Sequence, residues 1–201
     1  MVDKRSGPVR DLMTVAGWLA VLWVIFIVDV VLRATLGLFI ADYAGLRPRD
    51  VHQLWGILSA HFIHANLEHI AANSIGLLIT GWLACRYSRK LTAFAVLYAM
   101  LIAGTLTWLF GSWGEPRPVV HVGASGVIFG LIGFLLANAI VRFDWVAIVV
   151  GILVGWLFLD ALPGMLPPGE RGGPPISWEM HLGGFIGGVL ASWNLRKERS
   201  R

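Results

Sequence analysis

A serine and a histidine, each at the start of an apolar stretch that contains glycine, could form a catalytic pair. Ser125 lies in a Gly-Ala-Ser-Gly run at 123–126, and His181 begins a His-Leu-Gly-Gly run at 181–184. A serine hydroxyl is a poor nucleophile until a positioned base accepts its proton. An imidazole titrates near neutral pH and can be that base. The two residues therefore predict acyl-transfer chemistry if the fold brings them together.

The same chemistry needs hydrogen-bond donors directed at the oxyanion, and losing one donor slows such reactions on the order of 100-fold or more. His69 and Asn73 are four positions apart and therefore share one face of a helix. The backbone N–H of Ser125 is a third donor, because amides at a helix N-terminus have no intrahelical acceptor. We predict that these three residues form the oxyanion site.

Two different arrangements could orient the His181 ring. Asp160 could complete a Ser–His–Asp triad, whereas Glu179, two positions before His181, points to a different face of its helix. Phe129, one turn after Ser125, could instead hold the ring by stacking. We favour a Ser–His dyad with Phe129 as the stacking partner.

The composition indicates that these residues are positioned by a membrane-embedded helical bundle. Of 201 residues, 57% are hydrophobic and only 14% are charged, too few charges for the surface of a soluble domain of this size. A span needs about 20 mostly apolar residues. This rule predicts an all-α membrane protein with six transmembrane helices, at 14–40, 66–85, 90–110, 123–142, 144–161 and 178–195.

The basic residues predict the orientation of this bundle. With the N-terminus in the cytoplasm, eleven lysines and arginines fall on the inner side and four on the outer side, with Arg33 inside the first span. The inner ones are Lys4, Arg5, Arg10, Arg86, Arg89, Lys90, Arg142, Arg196, Lys197, Arg199 and Arg201, and the outer ones Arg47, Arg49, Arg117 and Arg171. The positive-inside rule then places both termini in the cytoplasm. We expect a multi-pass protein of the cell membrane, and no nucleic-acid partner.

The chain divides into three parts. Residues 1–13 are predicted to be a cytoplasmic tail, residues 14–195 the six-helix domain, and residues 196–201 a basic cytoplasmic tail. Segment 41–65 mixes aromatic, aliphatic and histidine residues, and we expect it to lie in the membrane interface or dip into it. Loop 162–177 is rich in proline and glycine, which disfavours regular structure; it could be a lid or a plain linker.

Three spans carry small or polar residues along one face, which allows close helix packing in a membrane. The stripe of the second span is Asn66, His69, Asn73, Gly76 and Thr80; that of the fourth is Gly126, Gly130, Gly133 and Ala137; that of the sixth is His181, Gly184, Gly188 and Ala191. Close packing of the fourth and sixth spans would bring Ser125 within hydrogen-bond reach of His181. In the first span, Asp29 and Arg33 are spaced to pair.

These motifs, in this order, resemble the rhomboid family of intramembrane proteases from about Trp55 to the end of the sixth span. The family pattern His-Ala-x-x-x-His-x-x-x-Asn is met by His64, Ala65, His69 and Asn73. Gly-x-Ser-Gly is met by Gly123, Ser125 and Gly126, and His-x-x-Gly-x-x-x-Gly by His181, Gly184 and Gly188.

The resemblance implies a six-helix fold with Ser125 as nucleophile, His181 as general base, and His69, Asn73 and the Ser125 amide at the oxyanion. It also implies that His64 belongs to the nearby polar network, that segment 41–65 is a membrane-inserted loop, and that the fifth span with loop 162–177 admits substrate. Neither a metal nor an organic cofactor is expected, and the substrates would be transmembrane proteins.

The chain departs from the family pattern at three places. Gly56 follows Trp55 where the family often has arginine, Cys85 stands where a glutamate is common, and Phe129 is often tyrosine in relatives.

Two other functions remain as alternatives. A catalytically inactive rhomboid-like protein would bind client membrane helices without cutting them. A transporter or metal-handling protein could use His61, His64 and His69, although no cysteine or carboxylate completes a tetrahedral set.

Overall fold

The computed structural model describes residues 7–112, 119–142, 145–167 and 177–194. Within these ranges all named elements are helical, which confirms the predicted all-α class, and a single backbone bridge of β type joins Leu46 to His121. The α-helices of the described residues are α1 (Pro8–Leu36), α2 (Ile40–Ala44), α3 (Gly56–Ser59), α4 (Leu67–Tyr87), α5 (Arg89–Phe110), α6 (Ser125–Arg142), α7 (Trp145–Leu157) and α8 (Trp178–Asn194). Short 3₁₀-helices lie between them, at Val51–Gln53, Ala60–Phe62 and Leu159–Met165.

Five of the six predicted spans each coincide with one helix of the described residues, and the first of them differs most at its ends. Helix α1 begins at Pro8 rather than at 14, because proline suits the first turn of a helix and Asp11 lies favourably in that turn. It ends at Leu36 because Gly37 adopts a left-handed conformation (φ 66°), in which the Gly37 N–H donates to the carbonyl of Arg33.

The fifth predicted span, 144–161, is broken. Helix α7 ends at Leu157, and the 3₁₀-helix Leu159–Met165 continues at an angle of 73° to it. The sequence predicts irregular structure from residue 162 onwards, and this prediction is wrong for residues 162–165. Residues 168–176 of that loop lie outside the described residues. Pro163 fits here because its fixed φ is compatible with a short 3₁₀ turn.

Two described helices, α1 and α5, are by themselves long and apolar enough to cross a membrane. Helix α7 and the Leu159–Met165 segment meet the same criterion together as a bent pair, and α6 is apolar but shorter. Helix α4 has 21 residues but carries the polar stripe, and α8 has 17 described residues. The apolar helices support a membrane protein, while the count of six spans stays a prediction.

Helix α6 lies at the centre of the bundle and packs on α4, α5, α7 and α8. Its contact with α8 is the most extensive helix pairing among the described residues. Buried apolar side chains of α6, including Leu131, Ile132 and Leu135, contribute to the main core. The helix that begins with Ser125 is thus the most enclosed element of the described fold.

Segment 41–65 folds into short helical turns that pack on the bundle. Ala60, His61, Ile63 and His64 are buried, and α3 contacts α5. Both ends of the segment are attached to α1. An Asp29 carboxylate oxygen accepts from the N–H of Ile40 at 2.8 Å. Arg33, which pairs with Asp29, donates to the Ala65 carbonyl at 3.0 Å.

Candidate active site

The turn before α6 presents Ser125 to the interior of the bundle. Gly123 has φ 125°, a backbone conformation that residues with a Cβ rarely adopt. A Cβ at this position would also lie 2.6 Å from His69 Nε2 and 3.4 Å from Asn73 Nδ2. The Gly123 N–H donates to the Ala60 carbonyl at 2.9 Å, which ties the turn to segment 41–65. Glycine is therefore required where the chain passes closest to α4.

Ser125 and His181 are in direct contact. The distance between Ser125 Oγ and His181 Nε2 is 2.9 Å. The other ring nitrogen, His181 Nδ1, lies 2.9 Å from the carbonyl oxygen of Gly164. The ring of Phe129 stacks on the His181 ring, with centroids 4.3 Å apart and planes inclined by 18°. The imidazole is thus held on three sides.

Glycines set the separation of α6 and α8 that permits this contact. A Cβ on Gly184 would overlap the carbonyl of Gly126, and a Cβ on Gly188 would overlap the carbonyl of Gly130. The predicted small-residue stripes of the two helices therefore face each other. A second pair that the sequence reading did not single out, Gly183 and Gly187, packs against Ala103 and Ala99 of α5.

The side chains of His64, His69 and Asn73 lie beside the turn before Ser125. Asn66 caps α4 by accepting from the His69 N–H at 2.8 Å. His64 Nε2 accepts from the Ala124 N–H at 3.4 Å, and its ring makes an edge contact with His69 at 5.2 Å. Asn73 Nδ2 is buried and has no hydrogen-bond partner among the described residues. A buried donor of this kind can receive an oxyanion.

No carboxylate accepts from His181 in the described residues. The atom on its Nδ1 side is the Gly164 carbonyl oxygen, and Asp160 is exposed. The alternative with Asp160 as the third member of a triad is therefore wrong. Gly164 could not have been singled out from the sequence, because it lies in a proline- and glycine-rich stretch and offers only a backbone atom.

A hydrogen-bonded cluster centred on His121 was not predicted from the sequence. His121 Nδ1 lies 2.7 Å from Ser177 Oγ, and its Nε2 lies 3.2 Å from Ser112 Oγ. Burial lowers the pKa of the His121 imidazole from its ordinary 6.5 to about 4. The cluster joins the end of α5, the turn before α6 and the start of α8. A histidine four positions before Ser125 was the available signal.

The histidines proposed for a metal site do not form one. His61 Nε2 donates to the Met100 carbonyl at 3.2 Å, and His64 and His69 face the turn before Ser125. Among the residues that the structure describes, no three histidine, cysteine or acidic side chains are grouped to hold a metal ion.

Comparisons with known proteins identify the family. Residues 51–198 match the family model of the Rhomboid domain, so the chain belongs to the rhomboid family, as its motifs predict. Proteins of this family are typically intramembrane serine proteases.

Three relatives indicate how far the similarity extends. An uncharacterised protein of Mycobacterium tuberculosis is 35% identical over 195 residues, covering 96% of this chain and 78% of the relative. One of Mycobacterium leprae is 34% identical over 186 residues, covering 91% and 70%. RHOMBOID-like protein 1 of Arabidopsis thaliana is 28% identical over 142 residues, covering 69% and 34%.

Proposed function

We propose that the protein is an intramembrane serine endopeptidase that cleaves transmembrane segments of single-span proteins through a Ser125–His181 dyad. The observation that supports this most is the 2.9 Å distance between Ser125 Oγ and His181 Nε2 in a bundle of the rhomboid family. Serine and histidine at hydrogen-bond distance are the minimal arrangement for nucleophilic acyl transfer.

The proposed reaction begins when Ser125 Oγ attacks the scissile carbonyl and its proton passes to His181 Nε2. The carbonyl oxygen becomes an oxyanion, which Asn73 Nδ2, the His69 ring and the Ser125 amide stabilise. The C–N bond then breaks as His181 donates the proton to the leaving amine, giving an acyl-enzyme. Water then attacks this ester as His181 Nε2 takes its proton, and His181 returns the proton to Ser125 Oγ as the C–O bond breaks and the peptide acid is released.

The membrane arrangement belongs to the same proposal. Six spans at the predicted positions, with both termini in the cytoplasm, would place Ser125 and His181 in the outer halves of α6 and α8. The protein would be a multi-pass protein of a prokaryotic inner or plasma membrane. It would need neither a metal nor an organic cofactor and would bind no nucleic acid.

The test compares cleavage of a single-span reporter by purified wild type, Ser125→Ala and His181→Ala. Each variant should lose several orders of magnitude in rate, because residues of such a unit act together. Ser74→Ala and His52→Ala are matched controls: Ser74 bonds Trp23 of α1, and His52 is exposed. Both should cleave as wild type does.

A fluorophosphonate probe adds a second measurement. It should label Ser125 in wild type and not in His181→Ala. Wild-type protein that binds the reporter without cutting it, and is not labelled, would refute the proposal and favour the inactive client-binding alternative. Loss of cleavage with a chelator would favour metal chemistry instead.

A further inference from the structure

The His181 ring is held by an acceptor that carries no charge and belongs to a separate element. A carbonyl oxygen can only accept a hydrogen bond, so the 2.9 Å contact with Gly164 requires that His181 Nδ1 carry the proton. In the neutral imidazole the other nitrogen, Nε2, is then unprotonated. That nitrogen faces Ser125 Oγ and is the one that must accept its proton.

The choice of this tautomer is a condition for catalysis. If Nε2 carried the proton, it would have no free lone pair in the ring plane and could not accept the proton of Ser125. In Ser–His–Asp enzymes a buried carboxylate fixes the tautomer. A carbonyl does the same without placing a charge in a poorly solvated bundle, where an uncompensated charge is costly.

The acceptor lies on an element separate from the two helices that carry Ser125 and His181. Gly164 belongs to the 3₁₀-helix Leu159–Met165, which is bent by 73° relative to α7 and contacts α8. Short 3₁₀ pieces have weaker hydrogen-bond geometry than α-helices. The contact is also close: a Cβ on Gly164 would lie 3.3 Å from His181 Nδ1 and 3.9 Å from Phe129 Cζ.

We propose that the Gly164 carbonyl is the positioning group of His181, so that the dyad has its reactive tautomer only while the Leu159–Met165 segment is seated over it. This inference rests on the proposed function, and it adds that the tautomer of the base, His181, depends on this segment. Displacement of the segment would remove the one acceptor that the described residues place on the Nδ1 side, and the proton would redistribute between the two nitrogens.

The first experiment measures the tautomer itself. Protein labelled with ¹⁵N-histidine would be examined by NMR, where protonated and bare ring nitrogens have distinct shifts, and the His181 signals would be assigned by their loss in His181→Gln. Wild type should show a proton on Nδ1 and none on Nε2. Gly164→Val, whose branched side chain cannot fit against the ring, should show a raised Nε2–H population.

The second measurement is the rate at which a fluorophosphonate labels Ser125. Gly164→Val should slow labelling on the order of 10-fold, which is the effect of losing about one hydrogen bond. Gly164→Ala should slow labelling by a smaller factor. Gly155→Ala is the matched control, because its Cβ would meet only Leu136 Cδ2 at 3.8 Å. It should leave both the tautomer and the labelling rate unchanged.

A backbone substitution tests the same contact without adding a side chain that could prevent folding. Replacing Met165 by its α-hydroxy acid turns the Gly164 carbonyl into that of an ester, a weaker acceptor, without adding an atom near the ring. The same replacement at Leu162 is the control. The Met165 ester should shift the His181 tautomer and slow labelling, while the Leu162 ester should do neither.

Three results would overturn the proposal: an Nε2–H tautomer in wild type, a tautomer that stays the same in both Gly164→Val and the Met165 ester, or unchanged labelling in both. Failure of the proposed function has a different signature. In that case wild type is not labelled at Ser125 at all, while the ¹⁵N spectrum still reports where the His181 proton lies.

Discussion

The side chain of Asn73 has a polar atom that the described structure does not use. Its Nδ2 is buried without a partner, and Gly123 in the turn before Ser125 lies close to it. An unsatisfied buried donor destabilises the resting protein, and in the proposed reaction this one would bind the oxyanion.

Asn73→Ala should therefore separate rate from stability. We expect reporter cleavage to fall on the order of 100-fold or more, because one oxyanion donor is lost. The melting temperature should stay the same or rise, since no existing hydrogen bond is broken. Cleavage kinetics and thermal unfolding of the purified variant provide the two measurements. A loss of activity that follows a loss of stability would contradict the oxyanion role.

Residue types were enough to predict the candidate site, but not all of its contacts. Ser125 and His181 could be selected because only a few side chains can act as nucleophile or base. Gly164 could not, because the atom that contacts His181 is a carbonyl that every residue possesses. His121 was passed over because its partners, Ser112 and Ser177, are distant along the chain.

At the scale of elements, two of the three departures from the family pattern, at Gly56 and Cys85, have structural explanations. A Cβ on Gly56 would lie 2.7 Å from the Gly45 carbonyl oxygen and 2.9 Å from Leu46 Cα, so this part of segment 41–65 leaves no room for arginine. Beside Cys85, the polar contact comes from other helices. Buried Asp11 of α1 pairs with Arg86 at 2.7 Å and with Arg89 at 3.7 Å.

The α6–α8 contact should be intolerant of even one added methyl group. Gly188→Ala would place a Cβ over the Gly130 carbonyl and 2.8 Å from the Phe134 nitrogen. We expect a loss of about 1–3 kcal/mol in the free energy of unfolding and a lower cleavage rate, as Ser125 and His181 separate.

Gly17→Ala is the control for this substitution. Gly17 is also helical, but nothing lies within 4 Å of its Cβ position, so the alanine should be neutral or stabilise α1 through helix propensity. Thermal unfolding in detergent measures both variants. Equal melting temperatures for Gly188→Ala and wild type would show that the two helices are not closely packed.

Helix positions were predictable because hydropathy and spacing act over many residues, whereas helix ends depend on single residues. Gly37 ends α1 earlier than the apolar stretch does. The break after Leu157 lies within an apolar sequence, so hydropathy does not predict it, and the Leu159–Met165 segment that follows contacts α8.

At the scale of the whole molecule, His121 connects three parts of the chain that lie next to Ser125 and His181 in the sequence or the fold. Its two ring nitrogens are hydrogen-bonded to the hydroxyl groups of Ser112 and Ser177, and its backbone pairs with that of Leu46. Because its pKa is lowered to about 4 in the folded protein, the unfolded chain binds a proton between pH 6.5 and about 4 that the folded protein excludes. The free energy of unfolding therefore falls as the pH falls through this range.

His121→Gln should reduce this pH dependence, because the amide keeps a donor and an acceptor but does not titrate. The contribution of His121 is at most about 3 kcal/mol and is complete above pH 6.5. We expect a smaller loss of melting temperature between about pH 7.5 and pH 5 than in wild type. His52→Gln, at an exposed position, should keep the wild-type dependence; an unchanged slope in His121→Gln would contradict the assignment.

The attachment of segment 41–65 has a consequence for divergence among related chains. Because Asp29 and Arg33 of one helical turn hold Ile40 and Ala65, the entry and exit points of the segment are fixed independently of what lies between them. Between these two anchors, the exposed residues Val51, Leu54 and Trp55 can differ among related chains while the register of the following helix is preserved. Ala60 and His64 cannot differ as freely, because both are buried and their contacts hold the turn before Ser125.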